Sequence, residues 1–141
     1  MTEQQQALEI LCRRHHSVIL YAFGSRASDV YAWIIGQQSV LAPGPSDVDI
    51  GVLIAPNISW TIRETLQFTL ALEEFFGVTR VDLVLLAQAD PFLAANVIRG
   101  ERLFADDQHA ADEYDLYVLR RAGDLIPLER ERQDLIYRRV S

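Results

Sequence analysis

The sequence contains no lysine; all 13 of its basic residues are arginine. A P-loop needs a lysine on the β- and γ-phosphates, so Walker-type nucleotide binding is excluded. Schiff-base and PLP-lysine chemistry are excluded as well. There is a single cysteine, Cys12. It cannot form an internal disulfide, and its apolar helical surroundings make it a small core residue. No run approaches the ~18 consecutive apolar residues of a membrane span. The opening Met-Thr-Glu-Gln-Gln-Gln lacks the basic and apolar regions of a signal peptide. A reduced, cytoplasmic setting with no membrane partner is therefore the expectation. Positive charge is also scarce: 20 acidic residues oppose the 13 arginines, for a net charge of -7. That balance argues against sequence-independent binding to DNA or RNA, so no direct nucleic-acid partner is expected. Adjacent residues on a helix point about 100° apart. His15 and His16 are therefore read as surface or edge residues rather than as a metal pair.

What is present is enough for one domain. The chain has 141 residues, half of them apolar, and can bury a real core. Residues 3–16 predict a helix with Leu8, Leu11, Cys12 and His15 on one face. The β-branched and aromatic run 17–23 (SVILYAF) predicts a buried strand that stops at Gly24-Ser25. A helix is expected from Arg26 to about Gly36, with Val30, Trp33 and Ile34 on one side. Ala42-Pro43-Gly44-Pro45-Ser46 reads as a loop, and 47–54 (DVDIGVLI) as a second strand. An amphipathic helix over 61–76 places Ile62, Leu66, Phe68, Leu70, Leu72 and Phe76 on apolar positions, with Gly77 as its stop. A third strand spans 78–86. Asp90-Pro91 then fits an N-cap with proline at the first helical position, opening a helix to about Arg99. Arg102 to Ala105 predicts a short strand. From Asp107 onward the pattern is helical, with interruptions expected near Gly123 and Pro127. Helices and strands alternate, so the expected class is α/β (α+β): a small mixed sheet flanked by helices, with a C-terminal helical segment.

Three acids fall inside strands, where aspartate is disfavoured. Asp47 and Asp49 are spaced i, i+2, which puts both carboxylates on one face and turns Val48 and Ile50 to the core. Two neighbouring carboxylates repel unless a cation sits between them. Such a pair suits Mg²⁺, which binds through one or two carboxylates plus substrate phosphates. A lone Asp-x-Asp also occurs at ordinary strand edges. Asp82 lies mid-strand, where an unpaired charge is costly. It either pairs with Arg80 on the same face, or joins Asp47 and Asp49 if the third strand lies beside the second. The latter gives a three-carboxylate site for two divalent ions. Gly24-Ser25 ends the first strand and opens a helix, a geometry that lets a phosphate approach backbone N–H groups. A Gly-Ser pair alone is more often a plain turn.

The order is strand, Gly-Ser, helix, loop, strand with Asp-x-Asp, helix, strand with Asp. It resembles the nucleotidyltransferase superfamily that includes DNA polymerase β, and more closely the minimal nucleotidyltransferase (MNT) proteins. The segments YAFGSRA, PSDVDIGVL, RVDLVLL and PFLAANVIRGERLF carry the resemblance. It covers about residues 5–106, the catalytic unit of a single domain spanning 1–141. It implies that Gly24 and Ser25 hold nucleotide phosphates, that Asp47 and Asp49 bind Mg²⁺, and that Asp82 completes a catalytic set holding two ions. Arg26 is read either as a further nucleotide ligand, supplying the fork that lysine supplies elsewhere, or as a surface arginine. One departure stands out. Family members usually have a shorter stretch here; in this chain 21 residues separate Ser25 from Asp47. A longer packed helix plus the Pro-Gly-Pro loop would occupy it.

The implied activity is transfer of AMP from ATP to a hydroxyl, with release of pyrophosphate. Small proteins of this kind are commonly antitoxins that attach AMP to a tyrosine of a HEPN-domain RNase toxin. Residues 112–139 interleave Leu116, Leu119, Leu125, Ile126, Leu128, Leu135 and Ile136 with six arginines and seven acids. This stretch either docks the toxin in the helix-in-groove manner or packs its apolar stripe on its own sheet. The alternatives are a protein of the same fold that neutralises its partner by contact alone, and a small-molecule nucleotidyltransferase.

Overall fold

The computed structural model describes residues 1–42, 44 and 47–140, with side chains described through residue 124. Pro43, Pro45 and Ser46 of the expected loop lie outside the described residues, as do the side chains of Leu125, Ile126, Leu128, Leu135 and Ile136. The described elements are α1 (Glu3–Arg14), β1 (Ser17–Phe23), α2 (Ala27–Ile34), β2 (Val48–Ile54), α3 (Ile62–Phe76), β3 (Val81–Leu85), α4 (Pro91–Ile98), β4 (Glu101–Ala105) and α5 (Gln108–Val140). A 3₁₀ turn over Leu86–Gln88 joins β3 to α4.

Local chemistry accounts for most of these boundaries. Thr2 and Thr61 close capping boxes with Gln5 and Glu64 at the starts of α1 and α3, satisfying N–H groups that a helix start leaves open. Asp90 caps α4 through the N–H groups of Phe92 and Leu93, with Pro91 at the first turn. Helix α3 ends at Gly77 in the left-handed conformation, as the sequence predicts.

The strands form one sheet in the order β3-β2-β1-β4. β1 pairs antiparallel with β2 and β4, and β2 pairs parallel with β3, so the sheet is mixed. Strand alternation sends side chains to two cores. On one face Leu20, Ala22, Val48, Ile50 and Val52 pack with Leu8, Cys12, Val30, Ile34, Phe68, Leu72 and Phe76 of α1–α3. On the other, Ile19 and Tyr21 pack with Ala94, Ala95 and Val97 of α4 and with Ala111, Val118 and Ala122 of α5. Cys12 is fully buried, and burial pushes its thiol up to about 12.

Two features differ from the sequence reading. Helix α5 runs unbroken from Gln108 to Val140, through Gly123 and Pro127. Proline removes one i→i−4 bond and crowds the carbonyl four residues back, which here belongs to Gly123. The many helix formers on both sides carry the helix across that single defect. Among the described residues of α5, the buried ones are small, Ala111, Val118 and Ala122, while Leu116 and Leu119 are exposed. On α3 likewise, Phe68, Leu72 and Phe76 are buried, and Ile62, Leu66 and Leu70 face outward. His15 lies against the Phe68 ring. Among the described residues no helix is long and apolar enough to cross a membrane.

Candidate active site

The site lies at one end of the sheet, where three strand termini meet. β1 runs antiparallel to β2, so its last residue, Phe23, pairs with Asp49 at the start of β2. β3 runs parallel to β2 in a register that sets Asp49 opposite Asp82 and Val48 opposite Val81. Val48 N–H donates to the Arg80 carbonyl at 3.3 Å, which fixes the entry of both strands. Val48, Ile50 and Val81 face the α1–α3 core. By alternation Asp49 and Asp82 face the α4–α5 side. This is the adjacency that makes one cluster of the two strand carboxylates.

Gly24 follows Phe23 at φ +75°, a left-handed conformation that favours glycine. A Cβ at this position would collide with the Asp49 carboxylate. Bare backbone and a strand carboxylate are thus packed directly together. Ser25 follows, exposed, at the entrance to α2. Helices α1, α3 and α4 each carry a side-chain cap, whereas the N-cap of α2, Arg26, makes no cap bond. Ala27 N–H turns back to the Gly24 carbonyl at 3.3 Å, which leaves the Ser28 and Asp29 N–H groups open to a ligand oxygen.

The electrostatics are unbalanced. Arg80 Nε lies 3.2 Å from Asp82 Oδ1 and 3.5 Å from Asp47 Oδ2. Both readings of Asp82 thus hold together: it pairs with Arg80 and it neighbours Asp49. Asp49 forms no ion pair among the described residues. Its carboxyl is raised above the usual range, first by desolvation and then by the negative charges of Asp82 and Asp47. Among the described residues no three acid, histidine or cysteine side chains converge on one point as a formed metal-binding set. The donor chemistry nevertheless fits a hard divalent cation. All three groups are carboxylates, one guanidinium stands against three negative charges, and the carboxylate without an ion-pair partner sits nearest the open backbone.

Arg26 is the N-cap residue of α2. It is 8% exposed, its guanidinium donates to the Ala42 carbonyl, and Gly44 packs against it. It ties down the long connection that leads into Asp47. The sequence reading did not find the second pairing of Arg80, with Asp47, since it depends on how the strand entries pack. It also did not assign roles to Asn96, Arg99 and Glu101, which line a cavity with Gly24 on the α4 side. Their only signal was their place in the resembling segment PFLAANVIRGERLF.

This fold and this order of motifs are those of the nucleotidyltransferase superfamily. The chain belongs to the family described as polymerase beta, nucleotidyltransferase, whose model matches residues 5–109. A solved structure of a minimal nucleotidyltransferase is 31% identical, covers 70% of this chain and 86% of its own, and has a TM-score of 0.51. A toxin–antitoxin structure with AMP-PNP is 22% identical with a TM-score of 0.66, covering 97% of this chain and 98% of its own. The structure of a tri-AMPylated HEPN toxin in complex with MNT antitoxin, from Shewanella oneidensis, is 20% identical with a TM-score of 0.64, covering 98% and 97%. No curated protein matches the chain by sequence.

Proposed function

We propose that this chain is a Mg²⁺-dependent nucleotidyltransferase antitoxin that transfers AMP from ATP to a tyrosine hydroxyl of a cognate HEPN RNase toxin and so silences it. The observation that carries the reading is the in-register pair Asp49–Asp82 beside the Gly24-Ser25 turn. The similarity to structures of a toxin–antitoxin pair with AMP-PNP and of an AMPylated HEPN toxin with its antitoxin supports the choice of nucleotide and partner.

Asp47 and Asp49 would hold one Mg²⁺, and Asp82 would share a second. When bound, the ions neutralise the triphosphate and lower the pKa of the acceptor hydroxyl. Gly24 and Ser25 offer backbone N–H and hydroxyl donors to phosphate oxygens. Asp82 takes the acceptor's proton as general base. The acceptor oxygen bonds to the α-phosphorus as the bond to the β-phosphate oxygen breaks, and pyrophosphate leaves. The Arg80 ion pairs are exposed and hence weak, so they yield to a metal-bound nucleotide. The exposed Leu116, Tyr117 and Leu119 of α5 offer an apolar surface for the toxin. The setting of this reaction is the cytoplasm.

A second reading has its own support. Arg80 already bridges Asp47 and Asp82, which suits a protein that silences its partner by contact alone. Co-expression with the toxin followed by mass spectrometry separates the two. A toxin mass increased by one or more AMP units is the expected result. Transfer from α-³²P-ATP that continues at the wild-type rate in an Asp47→Asn/Asp49→Asn double variant would refute the catalytic reading.

A further inference from the structure

The cation next to the Gly24-Ser25 turn in sequence is committed elsewhere. Arg26 holds the Ala42 carbonyl and is buried against Gly44. The chain has no lysine, so any further cation that faces an anion bound at that turn is another arginine. We infer that Arg99 is this residue, and that it grips the β- and γ-phosphates of the nucleotide. The inference rests on the nucleotidyltransferase reading and adds a specificity-determining residue to it.

Helix α4 packs on the sheet face toward which Asp49 and Asp82 project, and it ends at Arg99. Beyond its end opens a cavity of about 370 Å³, bounded by Gly24, Ser28, Asn96, Arg99 and Glu101. Gly24 borders this cavity and also meets the Asp49 carboxylate. The same glycine therefore separates the acid cluster from a space large enough for a polyphosphate. The Arg99 side chain is exposed and has no hydrogen bond or ion pair among the described residues, although the chain carries an excess of acids. Arg13, Arg80 and Arg102 each pair with two carboxylates.

A guanidinium presents a planar fork of donors that matches phosphate oxygens. The Asn96 amide and the Ser28 hydroxyl add neutral donors around the same space, and the Ser28 and Asp29 N–H groups at the start of α2 add backbone donors. Glu101 lines the cavity too. Its carboxylate disfavours phosphate nearby, so the anion keeps to the cationic part of the lining. The α-phosphate then lies toward Asp49 and the leaving pyrophosphate toward Arg99.

The test is calorimetric binding of ATP and of AMP, each with Mg²⁺, to the full chain and to its variants. Arg99→Ala is expected to weaken ATP binding about tenfold to hundredfold, the scale of a charge-assisted contact. AMP, which lacks the β- and γ-phosphates, should bind both proteins within about twofold. Arg99→Lys keeps the charge without the fork and should fall between. An Arg99→Ala protein that binds ATP as the wild type does overturns the inference and leaves the nucleotidyltransferase reading standing. So does one that loses ATP and AMP equally, or unfolds, since that marks a structural role. A wild-type chain with no affinity for ATP overturns the nucleotidyltransferase reading and this inference with it.

Discussion

The Asp49 carboxylate occupies the space that a side chain on Gly24 would need. This contact joins the Gly24-Ser25 turn to the strand that carries the acids, and it sets a narrow tolerance at both positions. Gly24→Ala adds a methyl group in a left-handed conformation and pushes on the carboxylate. We expect a loss of about 1–3 kcal/mol in stability, measured by urea unfolding. AMP transfer should fall to background even in the fraction that remains folded.

Asp49 illustrates stability given up at a site. Its carboxyl is raised in the folded chain by desolvation and by Asp82 and Asp47. A raised acid favours folding when protonated, so its ionisation removes stability as pH climbs through the folded value. At neutral pH the charged form therefore works against the fold. Asn in its place should raise the metal-free melting temperature at pH 7. The gain should close as pH falls toward the usual carboxylate value of about 4. Transfer activity should be lost at every pH. A thermal melt series at several pH values, beside the radiolabel assay, reads both.

Arg80 stands between Asp47 and Asp82 and competes with any cation for them. Its side chain is 68% exposed, so the pairs contribute less than about 1 kcal/mol. Arg80→Gln should leave the unfolding free energy within that margin. Removing a unit charge ~4 Å from a divalent ion in a water-like setting should tighten Mn²⁺ binding by about 2 kcal/mol, roughly thirtyfold, as read by electron paramagnetic resonance of free Mn²⁺. Unchanged Mn²⁺ affinity would mean that Arg80 does not contest the site.

Tyr21 fastens the C-terminal helix to the sheet. It is fully buried, and its hydroxyl donates to Asp115, which also pairs with Arg102 at 2.8 Å. Tyr21→Phe keeps the ring and leaves Asp115 short of one donor. A cost of about 1–3 kcal/mol is expected. Hydrogen exchange should show α5 amides between 111 and 122 losing protection ahead of the α1–α3 core.

Much of this molecule was legible in its sequence because the relevant physics is short-range. The run 17–23, the cap at Asp90, the stop at Gly77 and the i, i+2 spacing of Asp47 and Asp49 all depend on neighbours within a few positions. Each fixes backbone conformation or side-chain direction locally. The fold class and the family resemblance follow from the order of such pieces. The tertiary structure alone decided what long-range packing controls. It set β3 beside β2 in the register that faces Asp49 with Asp82, and it placed Arg80 between Asp82 and Asp47. It turned Arg26 into the long connection and left Arg99 beside Gly24. It also carried α5 through Pro127. No local propensity encodes which strand becomes a neighbour or where a long, flexible arginine finds its partner. Those outcomes depend on burying two hydrophobic faces at once, and that requirement exists only when the whole chain is folded.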